Sequence, residues 1–151
     1  MNCSNKCGKT CHDKSCQRYY NNNAQTIEAG GTTQLVIKGN KVVDSGISIE
    51  TESQNYTVVK KGLYHISADV VIDGTTAGDV VLAVLMDGVA LPCTIKPATL
   101  VAGSSTEIHT ETDICLSSCC CDVNHTFTFV LTSSTGAGTV TNFCSGILKL
   151  A

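Results

Sequence analysis

The sequence predicts an all-β sandwich or jelly roll, and three observations support that prediction. Short apolar segments recur at roughly regular spacing, proline occurs at only two positions in 151 residues, and no window has a convincing helical period. Eight or more short strands separated by Gly, Asn, Asp and Ser are typical of such folds. At this length we expect one domain with a single core and an appendage.

The first 23 residues differ from the rest of the chain. They hold four of the ten cysteines, four of the ten basic residues and the run "NNN", with no apolar periodicity. Such a segment cannot bury a core of its own. We therefore divide the chain into a Cys-rich N-terminal arm, residues 1–23, and a β domain, residues 24–151.

The first strands of the β domain are predicted in "TTQLVIKG" and "NKVVDSGISIET", and the clearest strand follows in "YTVVKKGLYHISADVVIDG". In that stretch a period of two separates an apolar set from a mostly polar set. The apolar set is Tyr64, Ile66, Ala68, Val70 and Ile72, and the alternate set is His65, Ser67, Asp69, Val71 and Asp73. The pattern predicts a long strand with one face on the core.

The next segment, "GDVVLAVLMDG", is apolar on both faces, and "DG" predicts a hairpin into "VALPCTI". Only one face of a strand meets the core of a sandwich, so the second face needs another partner. We predict an interface with another copy of the chain, and the alternative is a loop of the same chain. The predicted interface residues are Val80, Leu82, Val84 and Met86.

Alternation returns in "TEIHTETDICL", and "HTFTFVLTSS" and "GTVTNFCSGILKLA" predict the last two strands. One set in the first of these segments is Ile108, Thr110, Thr112, Ile114 and Leu116, and the other is Glu107, His109, Glu111, Asp113 and Cys115. The carboxylates of the second set are interpreted as a solvated strand face rather than an acid–base pair.

The cysteines are predicted to be structural, as disulfides within or between chains, with zinc or free thiols as the alternatives. The arm reads C-x3-C-x3-C-x4-C, which is within the range of zinc ligand spacing, but it contains no C-x2-C pair. In an extended "CLSSCCC" segment, neighbouring cysteines point to opposite sides. The predicted structural cysteines are Cys3, Cys7, Cys11, Cys16, Cys115, Cys119, Cys120 and Cys121, and the weak metal candidates are Cys3, Cys7, Cys11 and Cys16, with His12 able to replace Cys11.

No catalytic residue and no cofactor is predicted. A cysteine nucleophile needs a neighbouring base, and although His125 lies near Cys121 in the sequence, His65 and His109 fall on outward strand positions. Lone cysteines beside strands usually behave as small buried hydrophobes, and we expect this of Cys93, Cys115 and Cys144.

Composition and charge exclude several classes of partner. A net charge of -3 gives no electrostatic reason to expect nucleic acid. The longest apolar run, Val80 to Met86, is far shorter than the ~18 residues of a membrane span. The polar N-terminus has no signal-peptide core, whereas many cysteines suggest an oxidising environment. A particle assembled in a cytoplasm and later released would satisfy both observations.

Three segments resemble the trimer-forming globular domain shared by C1q, tumour necrosis factor and the heads of collagen-like spore-surface proteins. They are "YTVVKKGLYHISADVVI" with its Gly-x-Tyr turn at Gly62 to Tyr64, "VVLAVLMDGVAL" with its hairpin, and the closing "CSGILKLA". The resemblance covers roughly residues 24–151. The collagen repeat of many relatives is replaced here by the short Cys-rich arm, and "CLSSCCCDVNH" stands where the family usually has a "G-D" turn.

The resemblance implies a homotrimeric, non-enzymatic jelly roll. Similar domains occur as head fibres and capsid decorations of bacteriophages, so the implied function is a structural surface protein of a virion, anchored by its arm on a capsid or, alternatively, on a spore coat. A receptor- or glycan-binding head is a second hypothesis. A zinc-binding or redox cysteine protein is the third.

Overall fold

The computed structural model of the chain describes residues 16–37, 42–44, 47–49, 55–117 and 123–151. Within these ranges it has thirteen strands and one short 3-10 turn, Pro92–Thr94. The strands of the first half are β1 Cys16–Asn21, β2 Gln25–Ile27, β3 Thr32–Gln34, β4 Val42–Asp44, β5 Ile47–Ile49, β6 Asn55–Val58 and β7 Gly62–Thr76. The remaining strands are β8 Gly78–Met86, β9 Val89–Ala90, β10 Lys96–Leu100, β11 Ser105–Leu116, β12 His125–Ser133 and β13 Ala137–Lys149.

The strands form two antiparallel sheets. Sheet A has the order β1-β13-β7-β11, with β2 also paired to β13. Sheet B has the order β10-β8-β12-β6-β5-β4, with β3 paired to β12 and β9 paired to β8. No helix in the described parts of the chain is long and apolar enough to cross a membrane.

The strand order is that of a jelly roll. We number eight of the strands from one to eight in chain order: β1, β6, β7, β8, β10, β11, β12 and β13. In this numbering the order of sheet A is one, eight, three, six, and the order of these strands in sheet B is five, four, seven, two. Each sheet thus pairs early strands with late strands, as in a fold made of two Greek keys. The predicted all-β jelly-roll sandwich is confirmed.

The first strand changes the predicted division of the chain. Cys16–Asn21 was assigned to the arm, but it forms β1 and pairs along its whole length with β13, from Cys16 opposite Leu148 to Asn21 opposite Phe143. The described jelly roll therefore begins at Cys16 rather than at residue 24. Residues 1–15 of the predicted arm lie outside the described residues.

Strand β7 follows its predicted alternation. Tyr64, Ile66, Ala68, Val70 and Ile72 are all fully buried. Since alternate side chains of a strand point to opposite faces, His65, Asp69 and Asp73 lie on the outer face of sheet A. The long strand therefore contributes to the core and to an outer polar surface at once.

An aromatic cluster joins the two sheets through the middle of the core. Tyr56 of β6 and Phe129 of β12 meet edge to face at 6.0 Å between ring centroids, and Phe129 meets Phe143 of β13 at 5.4 Å. The hydroxyl of Tyr56 also hydrogen-bonds the buried hydroxyl of Ser145 across the sheets at 2.8 Å. Because edge-to-face pairs add to the energy of burial, we expect this cluster to contribute strongly to the contact between the sheets.

Replacing Tyr56 with phenylalanine is expected to lower the free energy of unfolding by about 1–3 kcal/mol. The ring stays in place, but the buried Ser145 hydroxyl loses its partner. Urea unfolding of Tyr56→Phe, Ser145→Ala and the double variant measures the effect as a double-mutant cycle. The double variant should lose less stability than the sum of the losses of the two single variants. If the losses simply add, the Tyr56–Ser145 hydrogen bond contributes nothing to stability.

Candidate functional site

The residues predicted to form a subunit interface lie on the core-facing side of β8. Val80, Leu82 and Val84 are fully buried inside the single chain, and Met86 packs partly buried against the same core. These residues meet sheet A, so they are not available to a second copy. The segment does have two apolar faces, and the one turned away from the core carries Val81 and Leu85, which are partly exposed.

The outer face of sheet B is uncharged at its centre. On β8 the outward positions after Asp79 are Val81, Ala83 and Leu85, and on β12 they include Thr128 and Val130. Val130 lies directly opposite Ala83 in the register of the two strands. We refer to the six positions Val81, Ala83, Leu85, Thr128, Val130 and Thr132 as the uncharged face.

The outer face of sheet A has the opposite character, because histidines and carboxylates of β7 and β11 alternate there. The register places His65 opposite Asp113, Ser67 opposite Glu111 and Asp69 opposite His109. We call the five ionisable residues the histidine–carboxylate cluster: His65, Asp69, His109, Glu111 and Asp113.

Three of the four contacts within this cluster cross from β7 to β11, and the fourth, between His109 and Glu111, lies within β11. Nδ1 of His65 lies 2.6 Å from Oδ1 of Asp113, and Nδ1 of His109 lies 2.6 Å from Oδ1 of Asp69. Nε2 of each imidazole lies 3.4 Å from Oε2 of Glu111, which therefore stands between the two rings. The hydrogen bond that His109 donates to Asp69 raises the pKa of His109 above its usual value, although partial burial opposes the shift.

A second histidine–carboxylate pair lies at the turn from β8 to β9. Asp87 and Gly88 have φ values of 52° and 84°, which is the two-residue hairpin that "DG" predicts. Nδ1 of His125 lies 2.6 Å from Oδ2 of Asp87, and the backbone N–H of Thr126 donates to Oδ1 at 2.9 Å. These two hydrogen bonds lower the pKa of Asp87, with the His125 contact the larger cause.

Replacing Asp87 with asparagine is expected to lower the free energy of unfolding by up to about 1 kcal/mol near neutral pH, because the pair is solvent-exposed. Asparagine tolerates the positive φ, so the turn itself is kept. A lowered pKa in the folded state means that the carboxylate stabilises the fold above its ordinary pKa of 3.8 and loses this effect as the pH falls through the lower folded value. Urea unfolding at about pH 7 and about pH 2.5 should show a difference from the wild type only at the higher pH.

The cysteines fall into two groups. Cys3, Cys7, Cys11, Cys119, Cys120 and Cys121 lie outside the described residues, and Cys16 is the first residue of β1. Cys93 and Cys115 are exposed and Cys144 is partly exposed, all three as free thiols. The expectation that Cys93 and Cys115 are buried hydrophobes is therefore wrong, whereas the crosslink predicted at Cys115 stays a prediction, because Cys119, Cys120 and Cys121 lie outside the described residues.

No metal site is formed by the described part of the chain. Among those residues no group of three or more His, Cys, Asp or Glu side chains could hold a metal ion. The arm cysteines proposed as weak zinc ligands, Cys3, Cys7 and Cys11, lie outside the described residues, so the zinc alternative stays a hypothesis.

Histidine in the described part of the chain is paired with carboxylates. Nδ1 of His65, His109 and His125 each contacts an aspartate at 2.6 Å on an exposed surface. The alternation of β7 and β11 correctly placed the first two outward, but it did not reveal their pairing. The signal available was only that each outward set mixes His with Asp or Glu.

Two solved structures are similar to the chain. The PRD1 vertex protein P5 aligns with a TM-score of 0.49 and 17% identity, covering 89% of this chain and 71% of that one. A crystal structure of murine APRIL at pH 8.0 aligns with a TM-score of 0.48 and 14% identity, covering 91% of this chain and 99% of that one. No protein-family model and no curated protein matches the sequence. The strand order of the two sheets confirms the jelly-roll fold that the resemblance implied.

Proposed function

We propose that the protein is a non-enzymatic structural surface protein, a homotrimeric jelly roll that decorates a phage virion as a capsid decoration or head fibre. The observation that carries the proposal is a jelly roll whose two outer faces differ in chemistry. The centre of sheet B is uncharged, whereas sheet A carries the histidine–carboxylate cluster. An uncharged sheet face suits a permanent contact between proteins, because charged residues are depleted at the centres of interfaces.

Self-association is proposed to use the uncharged face. Val81 and Val130 are partly exposed in the single chain; Val81 lies opposite Thr132, and Val130 lies between Thr128 and Thr132 along β12. This assignment replaces Val80, Leu82 and Val84, which the core already covers. Strand β8 is still proposed to form the interface, but through the side that faces away from the core.

The arm is proposed as the anchor on a larger assembly. Residues 1–15 contain Lys6, Lys9, Lys14 and three cysteines, and they precede β1, the strand that pairs with β13 in sheet A. A segment that leaves the domain beside an edge can reach a neighbouring protein without disturbing the core. Disulfides at its cysteines would fix that attachment outside a cell.

The rival function, a receptor- or glycan-binding head, depends on an exposed loop, but most of the segment from Thr132 to Thr141, which is rich in small residues, lies in β12 and β13. Only residues 134–136 connect β12 to β13. The backbone N–H of Ser134 donates to the carbonyl of Asp79 at 3.1 Å, which ties this connection to β8. Because this turn is short and hydrogen-bonded to β8, it favours a structural role over a binding head.

Native mass spectrometry with and without reductant and chelator tests the proposal. We expect a metal-free trimer whose mass increases on reduction by one hydrogen for each sulfur released from a disulfide. Val81→Lys with Val130→Lys should give folded monomers, whereas Val89→Lys, at a residue that is 71% exposed on β9, should remain trimeric. A wild-type monomer, or a zinc-bearing chain that unfolds on chelation, would reject the proposal. Peptides of the chain should also be detected in purified virions, and their absence would reject the virion assignment.

A further inference from the structure

Among the described strands, β11 lies at the edge of sheet A, where it pairs with β7. All twelve of its residues pair with β7, from Ser105 opposite Asp73 to Leu116 opposite Gly62. A long edge strand presents unpaired backbone groups that other chains can pair with, unless the edge is protected. The pairing of β11 with β7 therefore determines how many backbone N–H and C=O groups are exposed at this edge of sheet A.

The histidine–carboxylate cluster links these two strands through two register pairs, His65 with Asp113 and Asp69 with His109, and through the diagonal contact of His65 with Glu111. In each imidazole Nδ1 contacts an aspartate and Nε2 faces Glu111. A neutral imidazole has one N–H, so it can donate to only one of two carboxylates. The observed arrangement is complementary to imidazolium, which donates from both nitrogens.

We propose that the cluster is a proton-operated clamp that holds the edge strand β11 on β7. With both imidazoles charged, two cations are interleaved with three carboxylates across the strand pair. Loss of the proton from His109 turns a nitrogen lone pair toward Glu111 and leaves Asp69 and Glu111 beside a neutral ring. Repulsion then favours local opening of β11. The inference goes beyond the proposed function and does not depend on it.

The other ionisable groups on the outer face of β7 and β11 are carboxylates. On the same face, β7 adds Asp73 and β11 adds Glu107, both carboxylates, and the Asp73 carboxylate accepts a hydrogen bond from the Ser105 hydroxyl. From β13, the residues in register with the cluster are uncharged: Leu148 is opposite His65, Gly146 is opposite Ser67 and Cys144 is opposite Asp69. Arg18 of β1 is in register with Gly146, two strands away from β7.

The direction of the pH effect follows from the raised pKa of His109. A histidine with a raised pKa in the folded state stabilises the fold below its ordinary pKa of 6.5 and loses that effect as the pH rises through the folded value. The clamp is thus closed in weakly acidic solution and opens on the alkaline side of the folded pKa.

Hydrogen exchange of the full chain tests the clamp, with rates corrected for the intrinsic effect of pH. Amides of β11 should be roughly three- to tenfold better protected at about pH 5.5 than at about pH 8.5, as expected for two exposed ion-pair networks. Amides of β12, which lies inside sheet B, serve as the reference in the same sample. High salt should reduce the difference because it screens exposed charges.

Three variants separate the clamp from general stability. His65→Gln with His109→Gln should remove the pH dependence of β11 protection, and Glu111→Gln should reduce it. Glu107→Gln makes the same chemical change on the same face of the same strand, where the register partner is Val71, and should leave the pH dependence intact. The proposal would be overturned if the protection of β11 amides changed with pH in the same way as the protection of β12 amides. It would also be overturned if Glu107→Gln and Glu111→Gln had equal effects on that pH dependence.

Discussion

Replacing Phe129 with alanine is expected to lower the free energy of unfolding by about 3–5 kcal/mol, the range typical of truncating a buried phenylalanine. The Phe129 ring is fully buried and contacts the rings of Tyr56 and Phe143, so it links the two sheets. Its loss opens a cavity between rings that two separate strands hold in place. The neighbours cannot fill that space without moving a sheet.

Urea unfolding followed by circular dichroism measures this loss. Single domains are stable by only about 5–15 kcal/mol, so the variant should unfold at a much lower urea concentration or fail to fold. Val89→Ala is the matched control, because Val89 is 71% exposed and its truncation should change the free energy of unfolding by less than about 0.5 kcal/mol. A Phe129→Ala loss below about 1 kcal/mol would show that the aromatic cluster is not the central contact between the sheets.

The sequence was sufficient to predict the fold class because hydrophobic alternation is a local property. Strand β7 shows this best, since its fully buried residues are the set that the period of two selects. Strand β8 shows the limit of the same reasoning. With apolar residues on both sides, periodicity defines two faces but cannot tell which one meets the core. Val80 and Val81 are equivalent in the sequence, and only the packing of sheet A distinguishes them.

The histidine–carboxylate cluster could not be predicted, because it depends on the register between strands that are distant in the sequence. Alternation placed His65 and Glu111 outward, but their contact requires β11 to pair with β7 at one particular register. The pattern was more reliable than residue type at Cys115, whose position in the outward set with His109 and Asp113 already indicated an exposed thiol. The general tendency of cysteine to be buried led to the wrong expectation there.

Replacing Gly78 with alanine is expected to lower the free energy of unfolding by at least about 3 kcal/mol, the upper end of the usual cost of overpacking. Gly78 has φ of +155° and lies where β7 passes into β8, against the turn between β12 and β13. A Cβ atom there would lie 2.3 Å from the backbone nitrogen of Gly136 and 2.6 Å from the backbone carbon of Thr135. No side-chain rotation relieves a clash with backbone atoms, so one of the two connections has to move.

Gly103→Ala is the control that separates this clash from the cost of the glycine conformation itself. Gly103 has φ of +79°, yet a Cβ at that position meets no atom within 4 Å. Its substitution should therefore cost only the strain of a left-handed backbone, about 1–2 kcal/mol. Urea unfolding of the two variants gives the difference, which measures how tightly the β12–β13 turn is held against β8. Equal losses would show that the turn yields to the new methyl group, and the tied turn would then no longer favour the structural reading over a binding loop.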